Sequence, residues 1–187
     1  MKHLDRDNMQ KSLEALYVLD DYLTDPSKDY LRLIRRKKVT DFTSRYSIDN
    51  GAGDSLDVIF TEEVVLIKGF DHENSLNQFA ADQWNQNIID RIYEGIDEKW
   101  LNLLTLKERE ETTFCIWYDG TIHQNNIENN NGGTWLLAYL FDTFERFQEF
   151  VTEYYSFEFD DQLLTKLYTD GSLSDRELAE LTHEYRG

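Results

Sequence analysis

The chain has 187 residues, 40% of them hydrophobic and 14% aromatic, which is enough apolar surface for a core and richer in Phe, Tyr and Trp than a disordered chain. Its 37 Asp and Glu against 19 Lys and Arg give a net charge of -18, spread unevenly: residues 1–38 hold 9 basic and 7 acidic residues, residues 39–187 hold 10 and 30. A field of that sign repels nucleic acid and anionic membrane and attracts basic proteins or cations, with solubility alone as the plainer account.

The single proline, Pro26, excludes a Pro-rich linker, and the single cysteine, Cys115, excludes an internal disulfide. Cys115 lies in an apolar run and reads as a buried thiol. No apolar stretch approaches the ~20 residues that a membrane span needs. The polar start of the chain lacks the apolar segment of a signal peptide, so cytoplasmic residence is expected.

In chain order, Leu13, Leu16, Tyr17, Leu19 and Leu23 form an apolar stripe that predicts a helix over 8–23, ended by Asp25-Pro26. Lys28–Lys38 carries Arg32, Arg35, Arg36, Lys37 and Lys38 interleaved with Tyr30, Leu31, Leu33 and Ile34. It reads either as a basic surface for nucleic acid or as a second amphipathic helix with cations near its C-terminal end. The acidic remainder of the chain favours the helix.

From residue 41 the period changes to two. Phe42–Ile48, Leu56–Phe60 and Val64–Phe70 predict three strands of an antiparallel meander, with a turn at Asp49–Asp54. A helical piece around Ile88–Tyr93 and a helix capped by Asp97 come next. Thr112–Tyr118 is a strand, Asp119-Gly120 a hairpin turn, and Thr121–Ile127 the return. Asn129–Gly133 is a loop, and Trp135–Phe141 fits a strand or a buried helical turn.

Phe144, Phe147, Val151 and Tyr154 predict a helix beginning at Asp142 or Thr143, with Glu145, Glu149 and Glu153 on another face. Two short helices end the chain, one around Leu163–Leu167 closed by Gly171, the other opened by the capping box Ser174–Glu177. The helix-turn-helix spacing invites a DNA-binding reading. The 12 acidic and 4 basic residues of 142–187 reject it.

The expected fold is therefore α+β: an antiparallel sheet of about five or six strands flanked by helices, with a helical C-terminal hairpin. A single domain over 1–187 is expected, made of an N-terminal helical segment (1–38), a sheet core with helices (39–155) and a helical appendage (156–187).

Chemistry concentrates in Lys68-Gly69-Phe70-Asp71-His72-Glu73, at a strand end where sites are often built. Asp71, His72 and Glu73 offer metal ligands, or a histidine base oriented by a carboxylate. Consecutive residues rarely all face one ion, and the other histidines, His3, His123 and His183, are scattered. The alternative is a polar turn in which Asp71 caps the next segment and His72 makes a structural hydrogen bond. Asp49, Asp54 and Asp57 fit neither an EF-hand nor a phosphate loop. No Gly-x-Ser-x-Gly elbow occurs, and the neighbours of Cys115 argue against an activated thiol.

Ile48–Gly51 with Gly53-Asp54, Ile67–Glu73, Thr113–Trp117, Leu136-Leu137 and Glu153–Tyr155 together resemble, in order and spacing, a group of small acidic bacterial proteins of unestablished activity. Small acidic proteins of that kind resemble immunity proteins encoded beside toxins. The stretch after Glu73 is poorer in proline than the group's pattern, and the tryptophan strand lacks its longer basic turn. No catalytic residue, metal ligand or cofactor is therefore carried over.

The expected function is a non-enzymatic acidic binding protein, an immunity or inhibitor protein neutralising a basic toxin or effector. Its candidate contact residues are Asp71, His72, Glu73, Trp84, Trp100, Glu149, Glu153 and Tyr154, with Trp135 and Tyr155 as further aromatics. Direct nucleic-acid or membrane binding is not expected. The alternatives are a metal-assisted hydrolase using Asp71-His72-Glu73, a nucleic-acid mimic and an assembly subunit.

Overall fold

Asp5 starts the first helix, α1 (Arg6–Leu23), its carboxylate accepting the Asn8 amide at 3.0 Å. The computed structural model describes residues 5–183. Asp25 caps a 3-10 turn, Pro26–Leu31, with proline in its first turn. Four strands follow: β1 (Ile34–Lys38), β2 (Ser44–Asp49), β3 (Ser55–Phe60) and β4 (Val65–Phe70). Three short helices, α2 (Gln86–Ile92), α3 (Glu98–Leu101) and α4 (Leu106–Glu110), lead to the hairpin β5 (Phe114–Tyr118) and β6 (Ile122–Gln124). A 3-10 turn at Thr134–Tyr139 precedes α5 (Phe144–Tyr155), β7 (Glu158–Phe159), α6 (Asp161–Asp170), α7 (Asp175–Leu181) and β8 (Thr182–His183).

The helix expected over Lys28–Lys38 is not formed, and the segment 1–38 is not helical throughout. Its basic half is β1, antiparallel to β2 with Ile34 opposite Ile48, both buried. Pairing along a sheet has overridden the local helical spacing. The four consecutive cations, Arg35–Lys38, lie exposed on a strand at the sheet's end, where charge discourages edge-to-edge association. The helix-dipole account of those charges does not apply.

The six-stranded sheet is antiparallel with strand order β1-β2-β3-β4-β5-β6, a meander throughout. On one face Ile59, Leu66, Cys115 and Trp117 pack with Ile89, Ile92, Tyr93 and Leu104 from the α2–α4 segment. On the other, Ile48, Leu56, Val58, Phe60, Ile67 and Phe114 are also buried. Burial of both faces explains why Val64–Ile67 reads as an unbroken apolar run. Gly69 stands opposite Phe114, whose ring would lie 2.0 Å from any Cβ there.

A group of charged side chains lies inside the sheet. Asp57 accepts from Arg45 (Nη2 at 2.9 Å) and from the Ser47 hydroxyl (2.6 Å), and Lys68 Nζ lies 3.6 Å away. Arg45 also reaches Glu108 of α4 at 2.6 Å. Burial holds the Lys68 amine below its ordinary pKa, with Asp57 opposing that shift.

The chain divides into two compact units: the segments up to Arg32 and from Ala138 onward, and Leu33–Leu137. In the first, α6 packs on both α1 and α5. Leu13, Leu16, Phe147, Val151, Leu164 and Leu167 are buried there. Asp20, 1% exposed, accepts the Tyr155 hydroxyl at 2.7 Å and lies 3.5 Å from Arg32 Nε. Gly171 closes α6 in the left-handed conformation, and Ser174 with Glu177 forms the capping box that the sequence displays. No helix among the described residues is long and apolar enough to cross a membrane.

Candidate functional site

The turn between β2 and β3 is built by side chains that replace backbone partners. Asn50 Oδ1 accepts the amides of Ala52 and Asp54, and Asp49 Oδ1 that of Gly51. Gly51 and Gly53 have positive φ, as the tight return requires. The result buries Asp54, 6% exposed, with Oδ2 held by Asn50 Nδ2 at 2.8 Å.

β4 delivers Asp71 and His72 to the same place. His72 donates its backbone amide to Asp54 Oδ1 (2.9 Å), and its ring Nδ1 lies 2.8 Å from that oxygen. Burial alone would raise the Asp54 pKa, but the His72 ring, the His72 amide and Asn50 bring it below the ordinary range. The same pairing lifts His72 above its ordinary value. The imidazole side chain remains 42% exposed, so the buried carboxylate orients a ring open to solvent.

Asp71 is buried and turned the other way. Its Oδ1 accepts the Glu73 amide (3.2 Å) and its Oδ2 the Trp135 indole N–H (3.0 Å). Its own amide donates to the Thr113 hydroxyl, which donates in turn to the Gly132 carbonyl at 2.6 Å. Gly133 packs so closely that a Cβ there would fall 2.4 Å from Asp71 Oδ2. This gives Asn129–Gly133 its role. Asn130 and Asn131 accept the amides of Gly132 and Gly133, and Asn130 reaches Asn74 and Ser75.

Asp54, Asp71 and His72 thus have ligating atoms all within 4.8 Å of one another. Glu73 does not join them. Its side chain is 85% exposed, with Oε1 3.9 Å from His72 Nε2. Each of the four carboxylate oxygens already accepts a protein N–H. A cation there would share every oxygen with a donor. His123 belongs elsewhere, stacked on Trp117 and paired with Asp119, and His3 lies outside the described residues. Cys115 is fully buried, which raises its thiol pKa and keeps it protonated.

The aromatic candidates divide. Trp84 is 43% exposed and meets Phe79, itself 56% exposed, edge to face at 5.3 Å. Its indole N–H donates to Gln86 Oε1 (3.1 Å), and Gln86 Nε2 donates to Asp90 (3.0 Å). One amide therefore fixes an exposed indole and an exposed carboxylate together. Trp100 instead is partly buried against the core on the helix-covered face of the sheet, with Lys99 over its ring. In the other unit, Glu149 and Glu153 are exposed on α5, and Tyr154, 45% exposed, stacks on Phe150 at 5.4 Å. Apart from Trp100, the candidate contact residues thus fall into three places: the Asp71–His72 turn, the Trp84 surface and α5.

Compared with family models, with curated proteins and with solved structures, the chain shows no match.

Proposed function

We propose that the chain is a non-enzymatic acidic binding protein whose basic partner it neutralises, as an immunity or inhibitor protein neutralises a toxin or effector. The observation that carries this reading is the Phe79–Trp84 pair. Two large aromatics stand exposed in contact, one of them locked to Asp90 through Gln86, in a chain of net charge -18. Rigid aromatics are the residues that most often anchor an interface, and complementary charge speeds and selects the encounter. Asp82, exposed and between the two aromatics in the sequence, adds a further carboxylate.

The test is capture of basic proteins by the tagged chain and by its Trp84→Ala and Asp82→Lys variants. Both variants are expected to bind less while keeping the wild-type circular dichroism. Equal binding by all three would remove this surface from the account.

Metal-assisted hydrolysis is a second reading, favoured by the approach of Asp54, Asp71 and His72 within 4.8 Å. It expects one equivalent of zinc retained after dialysis and lost in His72→Ala. No retained zinc in the wild type would exclude that form of it.

A further inference from the structure

Beside the Trp84 surface lies a cavity of about 310 Å³ between α2, α3 and α4. Its walls include the apolar side chains of Ile89, Leu101 and Leu106 together with Asp90, Glu110 and Arg109. Leu106 is 75% exposed, so its side chain is open to contact at the cavity. Arg109 is built into the wall: its Nε donates to the Leu104 carbonyl (3.2 Å) and its Nη2 to Asn102 Oδ1 (2.9 Å). Asp90 and Glu110 are exposed and outnumber that single fixed cation. Tyr93 also lines the cavity, and its buried hydroxyl makes no hydrogen bond among the described residues. The neighbouring Thr112 hydroxyl donates instead to the Phe114 carbonyl.

We propose that this cavity receives an arginine side chain of the basic partner, with its stem against Ile89, Leu101 and Leu106 and its guanidinium between Asp90 and Glu110. The inference rests on the binding-protein reading for the source of the arginine. Its chemistry rests on the cavity alone. Apolar side chains and exposed carboxylates in one lining suit a side chain that is apolar along its length and cationic at its end. A guanidinium is more weakly hydrated than an ammonium and pairs with carboxylates in a planar fork, so arginine fits this wall better than lysine. Gln86 also lines the cavity, and it bonds both Trp84 and Asp90. A partner seated on Trp84 would therefore lie beside the cavity.

The experiment is a titration of the full chain with Nα-acetyl-arginine methylamide, followed by NMR at the methyl groups of Ile89, Leu101 and Leu106. The uncharged citrulline analogue is the control. Saturable shifts are expected with the arginine probe alone, with binding roughly tenfold weaker in the Asp90→Asn/Glu110→Gln variant. Absent shifts, equal shifts with citrulline, or an unchanged affinity in the variant would each overturn the proposal. The variant's amide spectrum reports its fold independently. If the chain captures a basic protein equally with or without Asp90 and Glu110, the cavity proposal fails and the binding-protein reading stands. If the probe saturates the cavity as expected but no basic protein is captured, the reverse holds.

Discussion

Asp54 and His72 stabilise each other most while one is anionic and the other cationic, so the pair has a defined pH window. His72 has a folded pKa above its ordinary 6.5. Its contribution is full below that ordinary value and is lost as pH rises through the folded value. Asp54 has a folded pKa below its ordinary 3.8. Its contribution is present above that ordinary value and is lost as pH falls through the folded one. The pair therefore supports the turn most between those two ordinary values. Thermal midpoints measured across roughly pH 3–9 should show this support in the wild type and lose it in His72→Gln. A wild type and variant with parallel profiles would count against the pair.

Gly133→Ala tests the other half of the site. With φ at +88° and Asp71 Oδ2 in the way, it should cost about 1–3 kcal/mol in urea unfolding. Asp71 and His72 were legible as a cluster because they are adjacent in the chain. Their partners were not, since Asp54 lies 18 residues from His72, and Trp135 lies 64 from Asp71. No local pattern marks Asn129–Gly133 as the loop that closes over Asp71, because the reason for its two glycines is a contact made only after folding.

Secondary structure was most legible where one physical signal acted alone. Alternation gave β2, short apolar runs between turn signals gave β3 and β4, a capping box and Gly171 marked the last helices, and Asp119-Gly120 marked the β5–β6 hairpin. β1 was missed because interleaved cations and apolar residues satisfy a helical period as well as an edge strand, and only its pairing with β2 decides. The charged group inside the sheet was equally hidden. Arg45, Asp57 and Lys68 come from three strands, and Glu108 from a helix. Removing Asp57 leaves the buried Lys68 amine without its neighbouring carboxylate. Asp57→Ala should therefore lower the unfolding free energy by about 3–5 kcal/mol. Adding Lys68→Met to it should cost less than the sum of the two single changes, since the stranded amine is then gone. A strictly additive double-mutant cycle would show that the two groups do not interact.

Across the whole molecule, charge is the property that sequence and structure share most directly. The excess of carboxylates is set by composition and needs no fold to be read. The fold adds position: it leaves Phe79 and Trp84 exposed while partly burying Trp100, and it places Asp90 beside Trp84 through one amide. Association driven by such a field weakens with salt as charges are screened within about 8–10 Å near physiological ionic strength. Contact through the aromatic pair should persist in part, because burial of apolar area is not screened.

The most direct measurement is capture from native cell extract on the immobilised chain, at low and at high salt, with the retained proteins identified by mass spectrometry. The account predicts one basic protein in stoichiometric amount, reduced at high salt and reduced again by Trp84→Ala. Recovery of no basic protein at either salt would contradict it.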